Sequence, residues 1–444
     1  MFYYFKKLVP QSVKNFYHWF QAITANLFFG FPSRNLTVIG VTGTNGKTTT
    51  CQMIVRILET AGKKVALAST INFKIGDKEW VNKTKFTTVS AWQIQKFIFQ
   101  AAKAGCDYAV LETSSHALDQ KRVWGINYQV AVITNLTREH LDYHQTMEKY
   151  FQAKLKLFRS APVVVVNLTL DKAEEFFKFS REKWGYYLED ELFAKQKIAR
   201  KQSEKIEFLE AEKIKLKKTG VEFVVRGEKM ELNLLGRFNI ENALAAIAVG
   251  LSEGINLPII KQALKTIKKV SGRLDEVTND QGIKIFIDYA VTPDSMKKIG
   301  ELLKSIQPVG SRLIWIFGAC GERDQGKRPI MGEIVAKFAD LAIVTNEDPY
   351  GEDPQAIIEQ VFQGLIKKTE KMQEGKNCWK ILDRRLAIRK ALELAQKGDW
   401  VLVTGKGAEE TMAISATERI VWNDRQVIEE ELARRKKSDN DSVF

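Results

Sequence analysis

The stretch Gly43-Thr44-Asn45-Gly46-Lys47-Thr48 constrains this chain more than any other feature. Before it stands NLTVIGVT, a short β-branched run. After it come Thr49 and a helical pattern with Ile54, Ile57 and Leu58 on one face, stopping at Gly62. A strand that enters a glycine turn and leaves as a helix belongs in a parallel sheet flanked by helices. Glycines let backbone N–H groups close around phosphate oxygens, and the helix N-terminus adds its dipole. Lys47 is then placed for the β- and γ-phosphates of a nucleotide, and the Thr48 hydroxyl for Mg²⁺. The strict form of the motif asks for glycine where Val41 stands; Gly40 and Gly43 flank it instead, so this is a variant.

Further apolar strands are predicted at 64–69, 108–112, 129–134 and 162–166, with helical segments between them. A second α/β run follows SGRLDEV, with strands at 283–288, 312–317, 341–345 and 400–404. The division expected is a basic aromatic segment at 1–35, a nucleotide-binding domain at 36–270, a second α/β domain at 271–433 and a frayed tail at 434–444. The lysine- and glutamate-rich stretch 195–232 reads as a peripheral hairpin insertion.

Composition matters chiefly for partners. A chain that is 45% hydrophobic and 27% charged packs into globular domains, which excludes wholesale disorder. The net charge of +14 favours anionic partners such as nucleotides, nucleic acid or a membrane face. Cys51, Cys106, Cys320 and Cys378 form no CxxC pair, which argues against a zinc ribbon and for reduced thiols in the cytoplasm. The first 58 residues contain no acid, and before Pro32 they carry Phe2, Tyr3, Tyr4, Phe5, Phe16, Tyr17, Trp19, Phe20, Phe28 and Phe29. No apolar run reaches the roughly 18 residues that cross a bilayer. Two arrangements stay open for residues 1–30: a helix packed on its own domain, or a segment lying on a membrane.

Glu112 closes the strand YAVLE, and ligands of parallel sheets bind beyond the carboxyl ends of strands. His140, in NLTREHLDYH, would stand at the same rim. His116, His140 and His144 are three of only four histidines, all near strand-end loops. Met147, Tyr150, Phe151, Lys154, Leu155 and Phe158 share one helix face that is apolar except for Lys154. A lysine held among apolar groups loses its preference for charge and becomes a nucleophile that can capture CO₂ as a carbamate. The other arrangement is a lysine snorkelling at the stripe's edge.

Together these residues resemble the Mur ligase family of ATP-dependent amide-forming ligases. The resemblance covers about residues 36–430. It rests on TGTNGKTTT, FTTVSA, LETSSHALDQKRV, TNLTREHLDYH, FQAKLKLF, GRFNIENALAAIA, SGRLDEV, DYAVTPDS, GACGERDQGKRP, TNEDPYGEDP and GKGAEE. The branch most similar adds the third stem-peptide residue to UDP-N-acetylmuramoyl-L-alanyl-D-glutamate in peptidoglycan biosynthesis. The resemblance implies an α/β fold: a central P-loop ATPase domain with a parallel sheet, then a Rossmann-like C-terminal domain. It implies ATP and Mg²⁺ as cofactors and a UDP-muramoyl-peptide, or a lipid-linked equivalent, plus an amino acid as substrates. Gly43, Thr44, Asn45, Gly46, Lys47, Thr48 and Thr49 would cradle the ATP phosphates. Thr48, Glu112, His140 and Lys154 as a carbamate would hold metal. Asn239 and Asn242 would face adenine, Arg273 a phosphate and Asp288 the ribose. Thr87, Thr88, Ser114, His116, Gln120 and Arg122 would hold the muramoyl-dipeptide. Arg323, Asp348, Tyr350, Gly405 and Glu409 would form the amino-acid pocket. A monomer without nucleic acid is expected.

Three departures carry expectations of their own. About 40 residues precede the glycine turn where this branch has a uridine-nucleotide domain, so the sugar nucleotide is held differently or the acceptor is lipid-linked. The motif D-N-P-R of diaminopimelate-adding members reads Glu347-Asp348-Pro349-Tyr350. Tyrosine cannot clamp a carboxylate bidentately, which disfavours meso-diaminopimelate. Val291 and Ala408 replace two family histidines. Competing readings are an amidating subunit for a lipid-linked precursor, a folylpolyglutamate-type ligase, an NTP-dependent nucleic-acid-binding protein and a non-catalytic membrane-associated partner.

Overall fold

A computed structural model describes residues 9–84, 86–191, 193, 205–367 and 370–441. The aromatic and basic residues at 1–8, part of the expected insertion (194–204) and the last three residues lie outside the described residues. The chain forms two compact units: Met1–Thr137 with Thr146–Lys268, and Arg138–Gln145 with Lys269–Phe444.

The first unit is built on β1 (Thr37–Thr42), β2 (Val65–Ala68), β5 (Tyr108–Glu112), β6 (Tyr128–Ile133), β7 (Val163–Asn167) and β8 (Glu182–Leu188). All six are parallel, in the order β8-β7-β6-β1-β5-β2. Their β-branched runs are buried on both faces, as strands covered by helices on either side must be. Antiparallel pairs extend both edges: β3 (Asn72–Ile75) with β4 (Lys78–Val81) beyond β2, and β9 (Glu207–Lys217), β10 (Gly220–Val225) and β11 (Glu228–Leu232) beyond β8. The expectation of a peripheral hairpin at 195–232 is therefore corrected. Strand β9 pairs parallel with β8, and the three strands continue the main sheet. Alternating Lys and Glu mark the solvent face of this edge, and the buried Leu209, Val221, Phe223 and Met230 mark the other.

Register places the site. Val41 pairs with Glu112 and Thr42 with Ile133, so the carboxyl ends of β1, β5 and β6 are level. Helix Lys47–Thr60 leaves the glycine turn beside helix Arg237–Ser252, where a methyl group on Gly250 would lie 3.0 Å from Ile57 Cγ2.

The second unit has β12 (Asp275–Val277), β13 (Lys284–Asp288), β14 (Leu313–Phe317), β15 (Leu341–Thr345), β16 (Cys378–Ile381) and β17 (Trp400–Thr404), ordered β12-β13-β17-β14-β15-β16. Strands β13 to β17 are parallel and β12 is antiparallel. Because β17 inserts between β13 and β14, the chain reverses its winding there, and a crevice at the strand carboxyl ends follows. A small hairpin, β18 (Thr411–Ala413) with β19 (Arg419–Val421), flanks that end. The region from 434 was expected to fray; instead helix Asp424–Asp441 runs through it.

Arg384 and Asp424 meet at 2.7 Å with both side chains fully buried, and Arg384 also donates to the Thr404 carbonyl at 2.9 Å. Removing one partner strands a buried charge. Asp424→Ala is expected to cost about 3–5 kcal/mol in urea-induced unfolding of the chain.

Candidate active site

Within the first unit the glycine turn is held rigidly. Gly43 and Gly46 have φ of +146° and +82°. A methyl group would lie 1.8 Å from Thr134 Oγ1 at the first position and 2.2 Å from Asn242 Oδ1 at the second, so only glycine fits either. Asn45 N–H donates to Asn135 Oδ1 at 2.8 Å, and Thr134 Oγ1 donates to the Asn45 carbonyl at 2.6 Å. Thr44 Oγ1 is 3.2 Å from the Tyr150 hydroxyl. Lys47 Nζ curls back over the loop and donates to the carbonyls of Gly43 (3.1 Å) and Thr44 (2.9 Å). Thr48 and Thr49 are buried in the first helical turn.

Glu112 is the hub of the rim. Its Oε2 accepts from the Thr48 hydroxyl at 3.0 Å and the Thr70 N–H at 2.8 Å, and its Oε1 accepts from the Thr70 hydroxyl at 2.9 Å. A hydroxyl and a carboxylate side by side make a hard oxygen donor set suited to Mg²⁺. Among the described residues no three His, Cys, Asp or Glu side chains gather as a ready cage.

Lys154 is deeply buried, which removes the snorkelling arrangement. Its Nζ donates to the Gly43 carbonyl at 2.8 Å, lies 3.4 Å from Thr42 Oγ1 and sits 4.6 Å over the Tyr150 ring. Burial, and secondly the charge of Lys47, hold this amine well below the ordinary lysine range.

The structure joins most of the expected dipeptide residues. Thr70 Oγ1, its proton committed to Glu112, lies 3.1 Å from Thr87 Oγ1, from which it can accept; Thr88 Oγ1 donates to the Glu112 carbonyl at 2.9 Å, and the Ser114 N–H to Thr88 Oγ1 at 2.9 Å. Arg122 donates to the carbonyls of Thr88 and Val89 and to Gln120 Oε1. His116 is half-buried on helix Ser115–Asp119. Asn242 Nδ2 donates to Asn239 Oδ1 at 3.1 Å, which places this pair beside the glycine turn. His140 belongs to the other unit. It lies in the segment Arg138–Gln145 of the second unit, held there by Lys327 Nζ to Glu139 at 2.9 Å and Arg138 to Asp324 at 3.1 Å.

In the second unit the expected pocket residues converge at the carboxyl end of the sheet. Asp288 accepts from the Leu274 N–H at 2.8 Å, and burial pushes its pKa up to about 6 against the pull of Arg273. The Arg273 guanidinium lies 4.7 Å over the Tyr289 ring, and the Tyr289 hydroxyl donates to Glu409 Oε1 at 3.2 Å. Asp348 commits both oxygens to the protein: Oδ2 to Lys406 Nζ at 2.8 Å and Oδ1 to the Ala413 N–H at 2.6 Å. It therefore shapes this end of the sheet through those bonds rather than as an open carboxylate. Lys406, which also pairs with Glu409, was missed in the sequence although it stands in GKGAEE beside two chosen residues. At Gly405 a methyl group would lie 2.4 Å from Glu347 Oε2. Tyr350 and Arg323 are electrostatic neighbours. Where a family histidine is replaced by Val291, its carbonyl accepts from Lys327 Nζ at 2.9 Å. Thr70, Thr134, Asn135 and Tyr150 were also missed. Their signal was position: a strand end for the first three and the Lys154 helix face for the last.

A P-loop sheet with a carboxylate hub, joined in one chain to a parallel α/β unit with its own strand-end crevice, defines a two-unit nucleotide-dependent ligase. Comparison with known proteins agrees. Residues 41–250 match the Mur ligase middle domain and residues 272–407 the glutamate ligase domain of Mur ligases. A UDP-N-acetylmuramoyl-L-alanyl-D-glutamate–2,6-diaminopimelate ligase of Clostridium botulinum is 38% identical over 92% of this chain and 80% of its own length. A UDP-N-acetylmuramyl-tripeptide synthetase of Roseiflexus sp. is 35% identical over 90% and 79%. A solved UDP-N-acetylmuramoyl-L-alanyl-D-glutamate–2,6-diaminopimelate ligase has a TM-score of 0.56 and 29% identity, covering 90% of this chain and 79% of its own. The chain belongs to the Mur ligase family. Among the described residues no helix is long and apolar enough to cross a membrane.

Proposed function

We propose that this chain uses ATP to join an amino acid, the third stem-peptide residue, to the carboxylate of a UDP-N-acetylmuramoyl-L-alanyl-D-glutamate-type acceptor. The observation that carries this is the rim where Thr48 and Glu112 meet at 3.0 Å beside Lys47 and the buried Lys154 amine. A carboxylate is a poor acyl donor because oxide would have to leave. Transfer of the γ-phosphoryl group gives an acyl phosphate with phosphate as the leaving group, and the incoming amine then attacks. Two anions must first approach one another. Lys47 and the N-terminus of helix Lys47–Thr60 offset that repulsion and steady the transferring group. Thr48 and Glu112 would hold magnesium, which supplies charge neutralisation at the phosphates. Lys154, whose buried amine holds its proton less tightly than an ordinary lysine, is suited to carbamate formation, giving a further anionic oxygen ligand. The metal role of His140 rests on the family resemblance.

Thr87, Thr88, Ser114, His116, Gln120 and Arg122 form the proposed acceptor site. Asn239, Asn242, Arg273 and Asp288 are assigned to nucleotide, and Arg323, Asp348, Tyr350, Gly405 and Glu409 to the amino acid, with Asp348 positioning Lys406. The direct test is phosphate release from ATP and magnesium with UDP-muramoyl-dipeptide, screened across amino acids. No amino-acid-dependent release would overturn the reading.

Two of the named relatives are 2,6-diaminopimelate ligases by name, yet Tyr350 stands where an arginine would clamp the distal carboxylate of that amino acid. Wild type is expected to favour lysine or a neutral amino acid over meso-diaminopimelate. Tyr350→Arg is expected to raise kcat/KM for meso-diaminopimelate by about tenfold or more. A wild-type preference for meso-diaminopimelate in the same screen would show that Tyr350 does not set the choice.

A further inference from the structure

We propose that helix Gln11–Phe29 is an interfacial anchor whose aromatic face lies on an anionic lipid bilayer. The helix is amphipathic in an inverted sense. Its buried residues Ala22, Ala25 and Asn26 face the protein, and Asn26 Nδ2 donates to the Trp124 carbonyl at 2.9 Å. Opposite them, Val13, Phe16, Tyr17, Phe20, Leu27 and Phe28 fall within an arc of about 120° at 3.6 residues per turn. That arc is the exposed one: Phe16 is 61% exposed, Phe20 56%, Leu27 65% and Phe28 72%. A contiguous aromatic face turned to solvent on a folded unit marks an interaction surface.

The surroundings name the partner. At one end the Trp19 ring stands 6.5 Å from that of Trp124, with Lys121 Nζ 5.3 Å over Trp19. At the other end Phe28 and Phe29 meet Trp92 at 5.1 and 5.3 Å, and Lys103 Nζ lies 4.8 Å over Phe99, which touches Phe29. Arg34 covers Phe31 at 4.7 Å. Tryptophans beside an apolar face, with lysine and arginine around them, match the layering of a membrane interface, where indoles sit at headgroup depth and cations meet lipid phosphates. No acid occurs in the first 58 residues to oppose an anionic surface. The same cations argue against a second copy of the chain, because a two-fold contact would bring like charges together. The helix is not apolar enough to span, so it would lie flat on the bilayer.

The test is sedimentation of the full chain with vesicles of phosphatidylcholine alone, or of about two parts phosphatidylcholine to one part phosphatidylglycerol. Wild type is expected to pellet with the anionic vesicles, more weakly at high salt, with a blue shift of tryptophan emission. The triple variant Phe16→Ser, Phe20→Ser, Leu27→Ser is expected to bind them at least about a hundredfold less tightly. Its melting temperature should hold, because all three side chains face solvent. If the triple variant fails to fold, Phe20→Ser alone, expected to weaken binding by about tenfold, decides. Wild type left in the supernatant with both vesicle types, or variant binding equal to wild type, overturns the proposal. So does concentration-dependent dimerisation, abolished by the variant, without vesicle binding.

Discussion

Replacing Lys154 with alanine is expected to lower amide formation by about three orders of magnitude while ATP affinity stays within a few-fold. The expectation follows from where the amine sits. Lys154 Nζ is bonded to the Gly43 carbonyl at 2.8 Å, directly behind the loop proposed to hold phosphates, and burial keeps its proton affinity low. As a carbamate it would add a second anion to the rim, beside Glu112. Short carboxylates such as acetate should partly restore the alanine variant, since they return that anion to the space left by the side chain. Lys154→Met, which keeps bulk but cannot carry CO₂, should fold normally, stay inactive and resist rescue. Full activity of either variant would remove the carbamate from the mechanism.

The second large effect is expected at Glu112. Three donors converge on its two oxygens, from Thr48 and twice from Thr70, and the side chain is buried. Glu112→Gln keeps the shape but replaces one acceptor with an NH₂ group, so one of the bonded hydroxyl or N–H groups is left facing a donor. It also removes the negative charge proposed to hold magnesium. Turnover is expected to fall about 10²- to 10³-fold, with the magnesium concentration for half-maximal phosphate release raised at least about tenfold. A loss of rate with an unchanged magnesium requirement would mean that Glu112 only shapes the loop through Thr48 and Thr70.

Most of the parallel core of both units was legible because its strands are short apolar, largely β-branched runs, buried on two faces; β8 (EKWGYYL) and β16 (CWKI), with at most one β-branched residue each, were not. Glu112 was legible for a related reason: a carboxylate closing such a run has to emerge at the ligand end of the sheet. The antiparallel edges were not. Lys78–Val81 is exposed along its whole length, and β9 to β11 alternate charge with burial over a stretch whose composition resembles a surface loop. Lys154 was half legible. Spacing put it on the apolar face, but only its bond to a backbone carbonyl distinguishes full burial from an edge position. Lys406 was hidden by its charge, since a lysine between two carboxylates reads as solvated until Asp348 and Glu409, one of them 58 residues away, fold onto it.

The assignment of Arg138–Gln145 to the second unit has a practical corollary for anyone dissecting this enzyme. The polypeptide passes from one unit to the other at 137/138, returns at 145/146 and leaves again at 268/269. A fragment cut once near 268 would carry away Glu139 without Lys327 and Arg138 without Asp324, orphaning charges on both pieces. Recombinant halves should therefore be poorly behaved, and gene fusions that exchange whole cassettes at that single joint should inherit the same defect unless the eight-residue excursion is exchanged with them.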